Sequence, residues 1–160
     1  MHTTPLYEAY KDYPQMKMTD FGGWDLPVNY ENGILAEHAF VRNDVGMFDV
    51  SHMGECFVEG KDAAAFLDSL VTNDVSKQVV GKAMYALMCY ENGTVVDDLI
   101  LYKMSEELFF VVMNASNVAK DLEWIKGHCP SDVKVTDLSD ATCQIAIQGP
   151  NAYKSVEKLV

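Results

Sequence analysis

A chain of 160 residues, 49% hydrophobic and 22% charged, can build one domain or parts of two, and it has no tract polar enough to stay disordered. Twelve Lys and Arg against 24 Asp and Glu give a formal charge of -12, a field that repels nucleic acid unless basic residues are concentrated locally. They are not, and no apolar run approaches the roughly 18 residues that suggest a membrane-crossing helix.

His2-Thr3-Thr4-Pro5 after Met1 carries neither the basic nor the apolar region of a targeting signal, so a bacterial cytoplasmic protein is expected. Residues 3–30 are rich in Pro, Gly and aromatics, and Phe21-Gly22-Gly23-Trp24 and Leu26-Pro27-Val28 read as turns between short extended pieces. Ile34, Leu35, His38, Ala39 and Val41 recur at helical spacing, which predicts a helix over 33–43, closed by Gly46 with a positive φ. Met47 to Met53 leads into a strand at Glu55-Cys56-Phe57-Val58. Residues 61–71 predict a second helix, with Ala64, Ala65, Phe66, Leu67 and Leu70 inside and Asp62 in the first turn, where the helix dipole favours an acid.

Two strand-like runs, 83–90 and 94–102, flank Glu91-Asn92-Gly93, and Asn-Gly marks a tight hairpin because both residues tolerate positive φ. A third strand is expected over 108–113. A helix over 116–126 carries Val118, Leu122 and Ile125 as its apolar stripe, and short strands follow at 133–135 and 143–147. Gly149-Pro150-Asn151 opens a last helix at Ala152, still running at Val160 with no cap after it. The chain is therefore expected to be the front part of a longer protein.

Val95-Val96-Asp97-Asp98-Leu99-Ile100 sets two acids in an apolar strand. Alternation sends them to opposite faces, each among Val, Leu and Ile. A carboxylate in such surroundings is hydrogen-bonded, paired, or pushed to hold a proton, and it can orient an N–H of a ligand. The plainer possibility puts one acid at a sheet edge and bonds the other to backbone amides. Ser51-His52 has the residue types of a nucleophile and its base. Adjacent side chains on an extended chain point apart, however, and no GxSxG elbow surrounds them, so a structural or ligand-lining role is expected. His38 reads as a core histidine. His128 beside Cys129 lacks further zinc ligands, and Cys56, Cys89, Cys129 and Cys143 form no CxxC pair. No metal is expected, and the thiols read as small residues in a reducing cytosol. Asn114, at a strand-to-helix junction, suits capping or a ligand's amide edge, while Tyr85 and Tyr102 suit cross-strand packing or stacking on a flat heterocycle. The residue pattern alone gives an α+β domain with an acidic pair in a buried hairpin.

Eight segments taken in order resemble the aminomethyltransferase family. They are Thr4-Pro5-Leu6-Tyr7; Asp20-Phe21-Gly22-Gly23-Trp24 with Pro27; Gly33-Ile34-Leu35-Ala36-Glu37-His38; Val45 to Gly54, including Phe48-Asp49-Val50-Ser51-His52-Met53; Thr72-Asn73-Asp74-Val75; Gly93 to Ile100, including Asp97-Asp98; Val111-Val112-Met113-Asn114-Ala115; and Ile147-Gln148-Gly149-Pro150. The resemblance, to the N-terminal portion of glycine cleavage system T-proteins, implies an α+β folate-binding fold with antiparallel sheets and flanking helices, here truncated. Residues 1–50 are then the first part of a discontinuous domain, 51–135 an inserted α+β domain with the 83–103 hairpin, and 136–160 the return to the first domain, cut short.

The resemblance also implies a transferase of glycine catabolism and one-carbon metabolism. It takes the aminomethyl group from the lipoyl arm of the H-protein, gives the methylene to tetrahydrofolate as co-substrate, and releases ammonia. Asp97 is then the catalytic acid beside the reacting pterin nitrogens. Met53, Tyr85 and Asn114 line the pterin and its linker, and Asp98 is structural. The expected partners are lipoylated H-protein and tetrahydrofolate, with no metal, nucleic acid or membrane. Family members are longer, and the later Tyr, Glu and Arg residues of the folate site and the C-terminal barrel lie outside this sequence. The segment alone is therefore expected to bind folate weakly or not at all. Two other resemblances are weighed. The folate domains of sarcosine and dimethylglycine dehydrogenases usually accompany a flavin domain. A non-catalytic folate-binding assembly or repair protein is disfavoured by the Asp97-Asp98 and Phe48-to-Met53 blocks.

Overall fold

The computed structural model describes residues 1–159, so the expected helix end at Val160 lies outside the described residues. Gly22 and Gly23 take φ of 61° and 91°, a turn that folds β1 (Lys17–Phe21) back onto β2 (Trp24–Asn29). Helix α1 (Ile34–Asn43) ends at Asp44, and Gly46 does not close it: Gly46 begins β3 (Gly46–Asp49). What that position requires is room, since an added Cβ would lie 2.4 Å from Val41 Cγ2. After these come β4 (Gly54–Glu59), α2 (Ala63–Leu70), β5 (Ala83–Cys89), β6 (Val95–Ser105), β7 (Leu108–Met113), α3 (Val118–Gly127), β8 (Lys134–Asp137), β9 (Ile145–Gln148) and α4 (Ala152–Val156). The fold is α+β with antiparallel sheets, as the segment pattern implies. A 3-10 segment over Tyr7–Asp12 and strand β3 carry no signal in the sequence reading.

The chain divides into two compact units, one made of Met1–His52 with the segment from Cys143 onward, the other of Met53–Thr142. In the first unit β3 pairs with β9 across a long stretch of sequence, from Gly46 opposite Gln148 to Asp49 opposite Ile145. Among the described residues, its buried apolar side chains are few, Tyr10 and Leu26. α1 has no buried residue, so His38 is exposed, not a core histidine.

The second unit is built on a five-stranded antiparallel sheet of order β5-β6-β7-β4-β8. Cys56, Val58, Ala86, Met88, Leu99, Leu101, Phe109, Val111 and Met113 project from one face into a cluster with Ala63, Phe66, Leu67 and Leu70 of α2 and Leu122 and Ile125 of α3. Burying each of the Val, Leu, Ile, Phe and Met side chains among them contributes on the order of 1.5–3 kcal/mol, so this face holds the unit together. Asp62 makes no side-chain cap for α2. The hairpin turn also differs from expectation. Only Gly93 takes a positive φ (82°), while Asn92 keeps a negative φ and accepts hydrogen bonds from Thr94 N (3.0 Å) and Thr94 Oγ1 (2.7 Å). A three-residue loop of this kind puts its one strained position at glycine.

Candidate functional site

The direct cross-strand pairs fix which side chains share a face. Met88 lies opposite Asp97, and Leu87 opposite Asp98. Asp97 thus belongs to the face covered by α2 and α3, with Leu99 and Leu101. Asp98 belongs to the other face, where a row runs Tyr85, Ile100, Val112, Glu55 through successive pairings. The expectation that Asp97 is the ligand-facing acid therefore meets opposing geometry. Asp97 is 7% exposed, and both its oxygens are taken: Oδ1 accepts from Asn114 Nδ2 at 3.1 Å and Oδ2 from Asn117 Nδ2 at 3.0 Å. Burial pushes the Asp97 carboxyl up, but hydrogen bonds from Asp121, Asn114, Asn117 and the Asp98 backbone outweigh it and leave it below the ordinary carboxylate value.

Asn114 ends β7 and makes no side-chain cap for the 3-10 segment after it. Its amide instead reaches back to β6. Nδ2 donates toward Asp97 Oδ1, Asp98 Oδ1 at 3.0 Å and Asp98 O at 3.1 Å, two hydrogens facing three acceptors. One amide thus binds both acids of the pair. Tyr85 stands 61% exposed on the Asp98 face. Desolvation, then the charge and hydrogen bond of Asp98, then the charge of Asp97, raise its hydroxyl above the ordinary tyrosine value. Met53 lies immediately before β4 and is half-buried.

Glu55, expected only as a strand residue, sits in the same row as Tyr85 and is 0% exposed. Neither of its carboxyl oxygens has a hydrogen-bond partner. Burial, with a smaller contribution from the charge of Asp137, pushes it up to about 7. Its signal was its period: in Glu55-Cys56-Phe57-Val58 the acid takes the face opposite the buried Cys56 and Val58.

In the first unit the Phe48-to-Met53 block serves as an anchor. Asp49 accepts from Thr4 Oγ1 at 2.5 Å, from the Tyr10 hydroxyl and from Ser51 N at 3.0 Å. Ser51 Oγ accepts from Gln144 N at 3.0 Å and lies 3.2 Å from Gln144 O, while the His52 ring stands edge-on to Phe21 with centroids 5.5 Å apart. Ser51 and His52 make no nucleophile–base pair. Two concavities of about 650 and 470 Å³ also lie in this unit, lined by Tyr10, Tyr13, Tyr30, Met47 and Phe40 among others, and neither includes Asp97, Met53, Tyr85 or Asn114.

The family described as the GCVT N-terminal domain matches residues 6–160. The chain belongs to that family. Relatives within reach include the aminomethyltransferases of Listeria monocytogenes serotype 4a (strain HCC23), 53% identical over 98% of this chain and 42% of the relative, and of Bacillus mycoides (strain KBAB4), 51% identical over 100% of this chain and 43% of the relative. Among solved structures, the glycine cleavage system aminomethyltransferase T from Bartonella henselae superposes with a TM-score of 0.91 at 32% identity, covering 98% of this chain and 43% of that one. This GCVT chain spans less than half the length of the curated relatives it matches.

Proposed function

We propose that this GCVT chain is the folate-facing portion of a tetrahydrofolate-dependent aminomethyltransferase of the glycine cleavage system, working in the bacterial cytoplasm. The donor is the aminomethyl group on the lipoyl arm of H-protein. Two nitrogens of tetrahydrofolate bond to its carbon, the carbon–sulfur and carbon–nitrogen bonds break, and reduced lipoyl thiol and ammonia leave. Positive charge develops on the reacting nitrogens, and a fixed carboxylate nearby stabilises it without forming a covalent intermediate.

The observation that carries this reading is the amide of Asn114 joining Asp97 and Asp98, with Tyr85 exposed on the Asp98 face. We assign Asp98 as the carboxylate that meets the pterin, with Tyr85, Asn114 and Met53 lining it. Asp97, the acid favoured by the resemblance, then holds Asn114 from behind. Its saturated oxygens and its place on the helix-covered face support that role.

Nuclear magnetic resonance titration of the isotope-labelled chain with tetrahydrofolate detects even millimolar binding, and shifts are expected at Tyr85, Asp98 and Asn114. In a full-length aminomethyltransferase carrying this segment, Asp98→Asn should lower kcat/KM by about 10²–10³, the range for removing one preorganised charge-stabilising group. Asp97→Asn should cost less. A near-normal rate in Asp98→Asn with activity abolished in Asp97→Asn would return the direct role to Asp97.

A further inference from the structure

Behind Asp97, on the helix side of the sheet, lies a second acid that has no part in holding folate. Asp121 of α3 is 0% exposed, and among the described residues neither of its carboxyl oxygens has a hydrogen-bond partner. Its one nearby cation, Lys120, has its Nζ 3.7 Å from Asp121 Oδ1, too far for a strong hydrogen bond, and donates instead to Val96 O. Asp121 follows Asn117 by one turn of α3, and Asn117 bonds Asp97 Oδ2, so the two acids face the same dry gap between helix and sheet. Two carboxylates so placed repel, and neither can donate. A single proton on Asp121 removes the repulsion and supplies the missing donor, directed at Asp97.

We infer that Asp121 is a positioning residue: as a neutral carboxylic acid it donates its O–H to Asp97, and so holds the Asn114 amide in the orientation that presents it to Asp98. The relay runs from Asp121 across the helix–sheet gap to Asp97, whose oxygens accept from Asn114 and Asn117, and from Asn114 to Asp98. The inference deepens the folate assignment and rests on it for its functional consequence. The charged groups acting on Asp121 are Asp97 from β6 and Lys120 from its own helix. Burial, the hydrogen bond to Asp97 and the charge of Asp97 raise it, and Lys120 opposes them, leaving it at about 7. Loss of that proton sets a second negative charge against Asp97 and withdraws the donor, so the site loosens as pH rises through this value.

The test follows the Asp121 carboxyl carbon, the Asn114 side-chain amide and the tetrahydrofolate-induced shifts of the 160-residue chain from pH 5 to pH 9. In the wild type, the Asn114 amide should move together with Asp121, and folate affinity should fall by about tenfold, equivalent to one pKa unit of coupling. Asp121→Asn keeps a donor toward Asp97 but cannot titrate, so its Asn114 signal should hold the low-pH position throughout and its folate affinity should stay flat. Asp121 titrating near the ordinary 3.8, or an Asn114 amide indifferent to it, would overturn the inference. So would a wild-type affinity that does not change with pH. If the Asn114 amide follows Asp121 while Asp98→Asn in the full-length enzyme leaves kcat/KM unchanged, the proton network stands and the folate assignment falls.

Discussion

Glu55 and Asp121 both lie in surroundings that offer no donor to an ionised carboxyl, and both resist giving up their protons until about pH 7. In the unfolded chain they ionise at ordinary values, 4.5 and 3.8. Between those values and 7 the unfolded state therefore releases protons that the folded state keeps, and stability falls as pH rises through this window. Asp49, Asp97 and Asp137 are shifted downward, and their contribution is lost only when pH falls below the ordinary carboxylate range. Urea midpoints measured at pH 5 and pH 8 separate the two effects. Glu55→Gln should remove its own share, on the order of 2–3 kcal/mol, of the loss that the wild type shows between these pH values, leaving that of Asp121. Equal slopes in the two proteins would show that Glu55 ionises normally in the fold.

At the level of elements, β4 and α3 approach closely at Gly54. A Cβ added at Gly54 would meet Val118 Cγ2 at 2.4 Å and Cγ1 at 2.8 Å. Valine is stiff and cannot swing clear, so Gly54→Ala should cost about 1–3 kcal/mol by overpacking. Val118→Ala in the same chain should recover most of that cost, read from thermal melts of the single and double variants. This contact explains why a glycine opens β4, and no sequence pattern announces it, because Val118 is far along the chain. The same limit applies to the acid pair. That Asp97 and Asp98 take opposite faces follows from strand period alone, and the extents of β5, β6 and β7 follow from their long apolar runs. Which face is dry depends on α2 and α3 returning to cover it, a fact of packing and not of local order. α1 fails in the converse way: its spacing is helical and a helix forms, yet Ile34, Leu35 and Phe40 remain exposed. Periodicity reports the helix; it does not report what the helix packs against.

Across the molecule, the buried apolar cluster lies wholly in the second unit, whereas the first buries Tyr10 and Leu26 and exposes Phe21, Phe40, Met47, Phe48 and Ile145. Local stability follows buried apolar contact, so backbone amides of β6 and β7 should resist hydrogen exchange longest, while those of β1, β2 and α1 exchange much sooner. Uniform protection across 1–159 would show that the first unit gains stability from a source other than its own core. The β3–β9 ladder has a further consequence, for the order of events on the ribosome. Gly46 waits for Gln148, whereas every strand partner of the second unit has emerged earlier. At translation speeds of about 5–20 residues per second, β3 stands unpaired for roughly 5–20 s while the inserted unit can already close. A nascent chain halted once residue 142 has cleared the ribosome should thus carry a folded sheet behind a sticky, unfinished N-terminal stretch, the species on which a holding chaperone would be found.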